Sequence, residues 1–271
     1  MGTHNAGAMT NPTPPLIELR NVSVARNGRV VLHNLDLRIA AGEHVAIMGP
    51  NGSGKSTLIK TITREFYPML DEGSSMQLFG QQTWDVFELR PLLGIMTNDL
   101  APFFLRPITG RDAVLSGFFS SIGLWRHQKI RREMLDKTDE LLAWLEIEHL
   151  ARRVMGEMSS GEVRRVMIAR ALVHDPKALL FDEPSNSLDV HAQIELRRTM
   201  SKLAQSGIAL LLITHHLPDV VPEIERVIFM RDGRIVGDGA KPELLTAGRL
   251  GALFGCPVHV TTQDGYYHLV S

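Results

Sequence analysis

Gly49-Pro50-Asn51-Gly52-Ser53-Gly54-Lys55-Ser56-Thr57 decides how the rest of the chain is read. The stretch fits G-x-x-x-x-G-K-[ST], in which glycines let backbone N–H groups curl around phosphate oxygens with no Cβ in the way. Its context is right. His44–Met48 before it is a short apolar strand, and Ser56–Thr63 after it carries Leu58, Ile59 and Ile62 on one helical face. The pattern predicts binding of ATP or GTP. Asn51, Gly52, Ser53 and Gly54 form the cradle, and the helix start adds the positive end of its dipole. Lys55 offers a mobile charge for the β- and γ-phosphates, Ser56 a hydroxyl for Mg2+, and Thr57 a contact to the α-phosphate.

Working outward, Ala178–Phe181 is an apolar run that ends in Asp182 and Glu183. A bound metal needs an acidic partner at such a strand end, and Asp182 is the candidate. Side chains alternate along a strand, so Glu183 points elsewhere and is the candidate general base for the attacking water. His215 ends the next apolar strand, Ile208–Thr214, where it can bridge the γ-phosphate and that water. His216 is adjacent; position in the strand favours His215.

The remaining pattern fits an α/β domain. Leu16–Leu19 and Val30–Leu37 are β-type runs around the turn signal Asn27-Gly28. From about 102 to 160 strands give way to helical spacing at Met134, Thr138, Leu141, Leu142 and Leu145, which predicts a helical lobe inserted in the core. From Gly161 helix and strand alternate, as in a mainly parallel sheet wrapped by helices. Residues 1–15 read as a flexible leader and 16–271 as one domain. Lys and Arg total 29 against 30 Asp and Glu, so no global basic field points to nucleic acid. The single cysteine, Cys256, cannot build a disulfide framework or a cysteine zinc site. No apolar run approaches the ~20 residues that span a bilayer.

Met158-Ser159-Ser160-Gly161-Glu162 precedes a predicted helix, Val163 to Val173, and lies shortly before the acidic strand. Alone it is a helix cap with a capping-box glutamate. In this order, with Ser187-Leu188-Asp189 following, the chain resembles the ATP-binding cassette (ABC) ATPase family from Leu16 to its end. The resemblance implies an α/β P-loop cassette: a mainly parallel core, an N-terminal antiparallel β subdomain and the helical lobe. It also implies a homodimer that sandwiches two ATP molecules. Ser159 and Gly161 would then contact the γ-phosphate bound by the partner copy, and Asp189 would align the dimer. Asn98 stands where the family usually has glutamine, as a ligand to Mg2+ or water. Arg26 aligns with the usual adenine-stacking aromatic; it either stacks on the purine or is a solvated turn arginine.

A single cassette without a fused membrane domain resembles the ATPase subunit of a bacterial importer. Asp112–Phe119 and Leu253–Val258 resemble the metal-chelate and molybdate branch. This implies a separate membrane permease, a periplasmic binding protein, and a place on the cytoplasmic face of the membrane. The alternative is a soluble regulatory ABC ATPase that drives no transport. Phe103, Phe104, Phe118, Phe119 and Trp125 read as lobe core or as a groove for a permease helix.

Overall fold

The structure, a computed structural model, describes residues 13–69, 72–97 and 107–270. Strands and helices are numbered along these residues. β1 (Ile17–Arg26), β2 (Arg29–Ile39) and β4 (Ser75–Leu78) make an antiparallel sheet in the order β2-β1-β4. β3 (Val45–Met48), β5 (Leu93–Met96), β6 (Ala178–Asp182), β7 (Ala209–Thr214), β8 (Arg226–Arg231) and β9 (Arg234–Ala240) make the second sheet. Its order is β5-β6-β7-β3-β8-β9, parallel except for the last pair. β10 (His259–Gln263) and β11 (Tyr266–Val270) form a separate hairpin.

Turn chemistry sets three hairpins among the described residues. Asn27-Gly28, Asp232-Gly233 and Asp264-Gly265 each hold both turn residues at positive φ. Such two-residue turns match the right-handed twist of the strands they join.

The continuous apolar runs are buried on both faces, and their alternation splits the core in two. Val45, Ile47, Leu180, Leu211 and Ile213 face a cluster shared with the antiparallel sheet and α1 (Lys55–Ile62). Ala46, Met48, Leu179, Phe181 and Leu212 face the other, built with α5 (Ser160–Leu172) and α6 (Val190–Gln205). The central sheet is thus the middle layer of three, as expected of parallel strands.

Among the remaining helices, α2 (Val86–Leu89) precedes β5. α3 (Gly110–Leu115) and α4 (Arg132–Trp144) occupy the stretch read as helical. Thr138, Leu141 and Leu142 are the buried stripe of α4, and Arg111 clamps Asp139 through bonds of 2.7 and 2.6 Å. α7 (Lys241–Leu244) and α8 (Ala247–Phe254) follow β9. Two details differ from expectation. α5 begins at Ser160, not Val163, because the cap sits ahead of the first apolar residue. Pro14, read as leader, lies over Gly80, where an added Cβ would stand 2.6 Å from it.

Candidate nucleotide-binding site

The register of three neighbouring strands brings the site together. Met48 pairs with Thr214, and Asp182 pairs with Ile213. The C-terminal ends of β3, β7 and β6 therefore lie in one row. Ligands of open α/β sheets bind beyond such ends. Asp182 is not on the strand next to the phosphate loop; β7, with His215 at its end, lies between.

The loop from Gly49 to Gly54 leaves β3 and enters α1 through left-handed backbone. Gly54 is the N-cap at φ 103°, a conformation that favours glycine. Gly49 is fixed by space: a Cβ there would lie 2.1 Å from Met230 O and 2.8 Å from Ser53 Oγ. Lys55 turns back into the loop, donating to Gly49 O at 2.6 Å and Pro50 O at 3.1 Å. Burial pushes its ammonium below the usual lysine range, while Glu183 and Asp182 oppose that shift. Ser56 is exposed at the mouth and Thr57 is buried behind it. Ser53 Oγ is buried with no hydrogen-bond partner. An orphaned hydroxyl beside a buried ammonium, with Asp182 near, fits an occupant that carries phosphate oxygens and a hard cation.

Glu183 leaves the strand by a left-handed backbone, φ 48°, held by its amide donating to Ile213 O at 2.8 Å. That kink, rather than strand alternation alone, separates its direction from that of Asp182. Such strain in a non-glycine residue persists only where surrounding contacts over-determine it. Glu183 Oε1 is 3.9 Å from Lys55 Nζ, and Oε2 is 2.7 Å from His215 Nδ1. The Nδ1 contact is close but off the line of the ring N–H. The aligned donor to Oε2 is the His215 amide, at 3.3 Å. Burial first, then the charge of Glu183, push the Asp182 carboxyl above the usual carboxylate range. His216 instead approaches Asn186, Nε2 to Oδ1, at 3.2 Å.

The other expected residues lie apart from this row. Ser159 caps α5: its Oγ accepts from the Glu162 amide at 3.3 Å, and Glu162 Oε2 accepts from the Ser159 amide at 2.7 Å. Asp189 caps α6 by accepting from the Ala192 amide at 2.8 Å. Gly161 packs on α6, where a Cβ would stand 2.6 Å from Ala192 Cβ. Ser159, Gly161 and Asp189 share a cavity of about 260 Å³, lined by no residue of the phosphate loop and by neither Asp182 nor Glu183. Arg26 stands 5.8 Å over the Phe66 ring. Asn98, Phe103 and Phe104 lie outside the described residues. Phe118 packs edge-on against His174 at 5.4 Å, and Trp125 is exposed.

Sequence reading missed what supports the site. Asp219 is fully buried and accepts hydrogen bonds from Ser185, Thr214 and Arg197. Arg164 on α5 donates to Asn186 O at 3.3 Å. Asp219 stands alone between Leu217-Pro218 and Val220-Val221, which was the available signal; Arg164, between Glu162 and Arg165, offers none.

Comparison with known proteins bears on the fold and the family. The family model described as ABC transporter matches residues 32–186. The glutamine transport ATP-binding protein GlnQ of Escherichia coli is 36% identical over 85% of this chain and 93% of its own. The hemin import ATP-binding protein HmuV of Aliivibrio fischeri is 30% identical over 88% and 90%. Among solved structures, a metal-chelate type ABC transporter in an inward-facing conformation shares the fold, with TM-score 0.76, 22% identity and 94% and 96% coverage. The dimeric cassette MJ0796 bound to ADP and Pi has TM-score 0.66 and 28% identity, covering 83% of this chain and 98% of its own. Members of this family bind ATP with Mg2+ and hydrolyse it. The chain belongs to the ABC transporter family and is an ATP-hydrolysing, ATP-binding subunit of that class.

Proposed function

We propose that this chain is the ATPase subunit of a bacterial importer for a metal chelate or an oxyanion, driving a separate membrane permease by ATP-dependent closure of a homodimer. The observation that carries the reading is coverage. GlnQ and HmuV, both named for import, are matched over 93% and 90% of their lengths by this chain. No helix among the described residues is long and apolar enough to cross a membrane.

The residue roles belong to the same proposal. Backbone amides of Asn51 to Gly54 cradle the phosphates, Thr57 reaches the α-phosphate, and Lys55 exchanges its carbonyl bonds for the β- and γ-oxygens. Ser56 and Asp182 hold Mg2+, which when bound neutralises phosphate charge. Asn98 contributes a ligand to that site. Glu183 takes the proton from the attacking water, and His215 fixes the carboxylate and orients the water. Arg26 stands at the adenine. Ser159, Gly161 and Asp189 act across the dimer, which accounts for their separate cavity.

A mild-detergent pull-down from native membranes tests the transport reading. The expected result is a polytopic permease in near-equal stoichiometry. Recovery from the soluble fraction alone would overturn it. Glu183→Gln tests the chemistry: the variant should bind ATP, dimerise on it, and lose at least about 100-fold in turnover. Undiminished hydrolysis would remove Glu183 from its role.

A further inference from the structure

The geometry points to an inhibitory site for a borderline divalent transition-metal ion of the Zn2+ class, formed by Glu183, His215 and His216. The proposed hydrolysis leaves His216 without a task, yet His216 completes a donor cluster. One ligand atom from each of the three residues lies within 4.8 Å of the others. The two imidazoles stack with centroids 4.0 Å apart and planes tilted by 38°. His215 Nδ1 is buried and makes no aligned hydrogen bond, although Glu183 Oε2 is only 2.7 Å away. A shared cation suits that arrangement better than a bent hydrogen bond does. Zinc–ligand bonds of about 2.0–2.2 Å place neighbouring tetrahedral ligands roughly 3.3 Å apart, within small side-chain adjustments of these positions.

The surroundings also suit a ligating histidine. The His216 amide donates to Thr214 Oγ1 at 2.9 Å, and its Nε2 lies 3.2 Å from Asn186 Oδ1. The Asn186 contact is of the kind that steadies a metal-bound imidazole through its other ring nitrogen. Two imidazoles and one carboxylate select zinc-like ions, whereas Mg2+ prefers an octahedron of oxygens. His216 is exposed, so an ion enters from solvent. Its capture ties up the Glu183 carboxylate, so nucleotide still binds but water is no longer deprotonated. The effect on turnover rests on the proposed function; the binding of the ion does not.

The test uses the full chain and its His216→Gln variant. Zn2+ is titrated calorimetrically in excess Mg2+ without nucleotide, and Co2+ absorption reports the coordination geometry. The wild type should take up an ion that the variant binds about tenfold or more weakly. The variant should hydrolyse ATP with Mg2+ at the wild-type rate, with its Zn2+ inhibition midpoint raised by a similar factor. Equal Zn2+ affinities, or equal inhibition midpoints, would overturn the site. A wild type that hydrolyses no ATP with Mg2+ alone would overturn the functional reading instead, and the calorimetric comparison would still decide the site.

Discussion

Arg197 Nε stands 3.3 Å from Oδ1 of Asp219, a carboxylate with no exposed surface. The other oxygen, Oδ2, takes the hydroxyls of Ser185 and Thr214, so one buried group ties the segment after Glu183 to the segment before His215. Asp219→Ala should therefore destabilise the fold by about 3 kcal/mol, since it takes the carboxylate from a mostly buried guanidinium and the acceptor from two hydroxyls. The midpoint of urea unfolding reads the loss. Matching midpoints would mean that the network supports nothing.

Asp182 makes a prediction of the opposite sign. Its carboxyl is raised by burial and by the charge of Glu183, so ionising it opposes folding. Stability is complete below the ordinary carboxylate range and falls as pH rises through the raised value. Asp182→Asn removes that penalty. Without nucleotide the variant should melt roughly 2 °C above the wild type near pH 7, and the gap should close near pH 4. A melting temperature at neutral pH below that of the wild type would refute the electrostatic account.

Lys55 is held by two carbonyls and faces Glu183, so removing its charge should weaken nucleotide binding more than it harms the fold. Lys55→Ala should bind ATP about 100-fold more weakly, the equivalent of one lost charge-assisted contact. Fluorescent-nucleotide titration measures it. Unchanged affinity would detach the loop from phosphate recognition.

Arg226 is the corresponding structural anchor. It clamps Asp238 with two bonds of 2.7 Å and also reaches Glu43 and Arg38 O, each at 2.9 Å. The Asp238 bonds hold its guanidinium well above the usual arginine range. Arg226→Ala should cost about 2 kcal/mol by chemical denaturation and leave ATP affinity unchanged. A loss of affinity would show that β9 and the β2 end report to the site.

What was legible in the sequence was local. The phosphate loop and the acidic strand end announce themselves through residue type at fixed spacing, and the buried runs mark β6 and β7. β4 escaped because four residues, Ser75–Leu78, carry too little alternation; the strand exists through its pairing with Ile17–Arg20. The start of α5 was misplaced because apolar spacing begins later than the cap. The Asp219 network joins residues 22 and 34 positions apart, so only the folded chain brings them together. Glu183 stands out by residue type at the end of an apolar run, but its left-handed backbone is set by Ile213 across the sheet and leaves no mark in its neighbours.

The cap at Ser159 has one more consequence. A serine hydroxyl has one proton to give and two lone pairs to receive. The bond from the Glu162 amide occupies a lone pair only. The proton takes no part in the cap, so an oxyanion meeting this helix end would be added to the cap rather than exchanged for it. The rotamer of Ser159 and the helix end behind it are ordered when the chain folds. Docking a second molecule here would therefore incur little further loss of conformational freedom on this side of the contact.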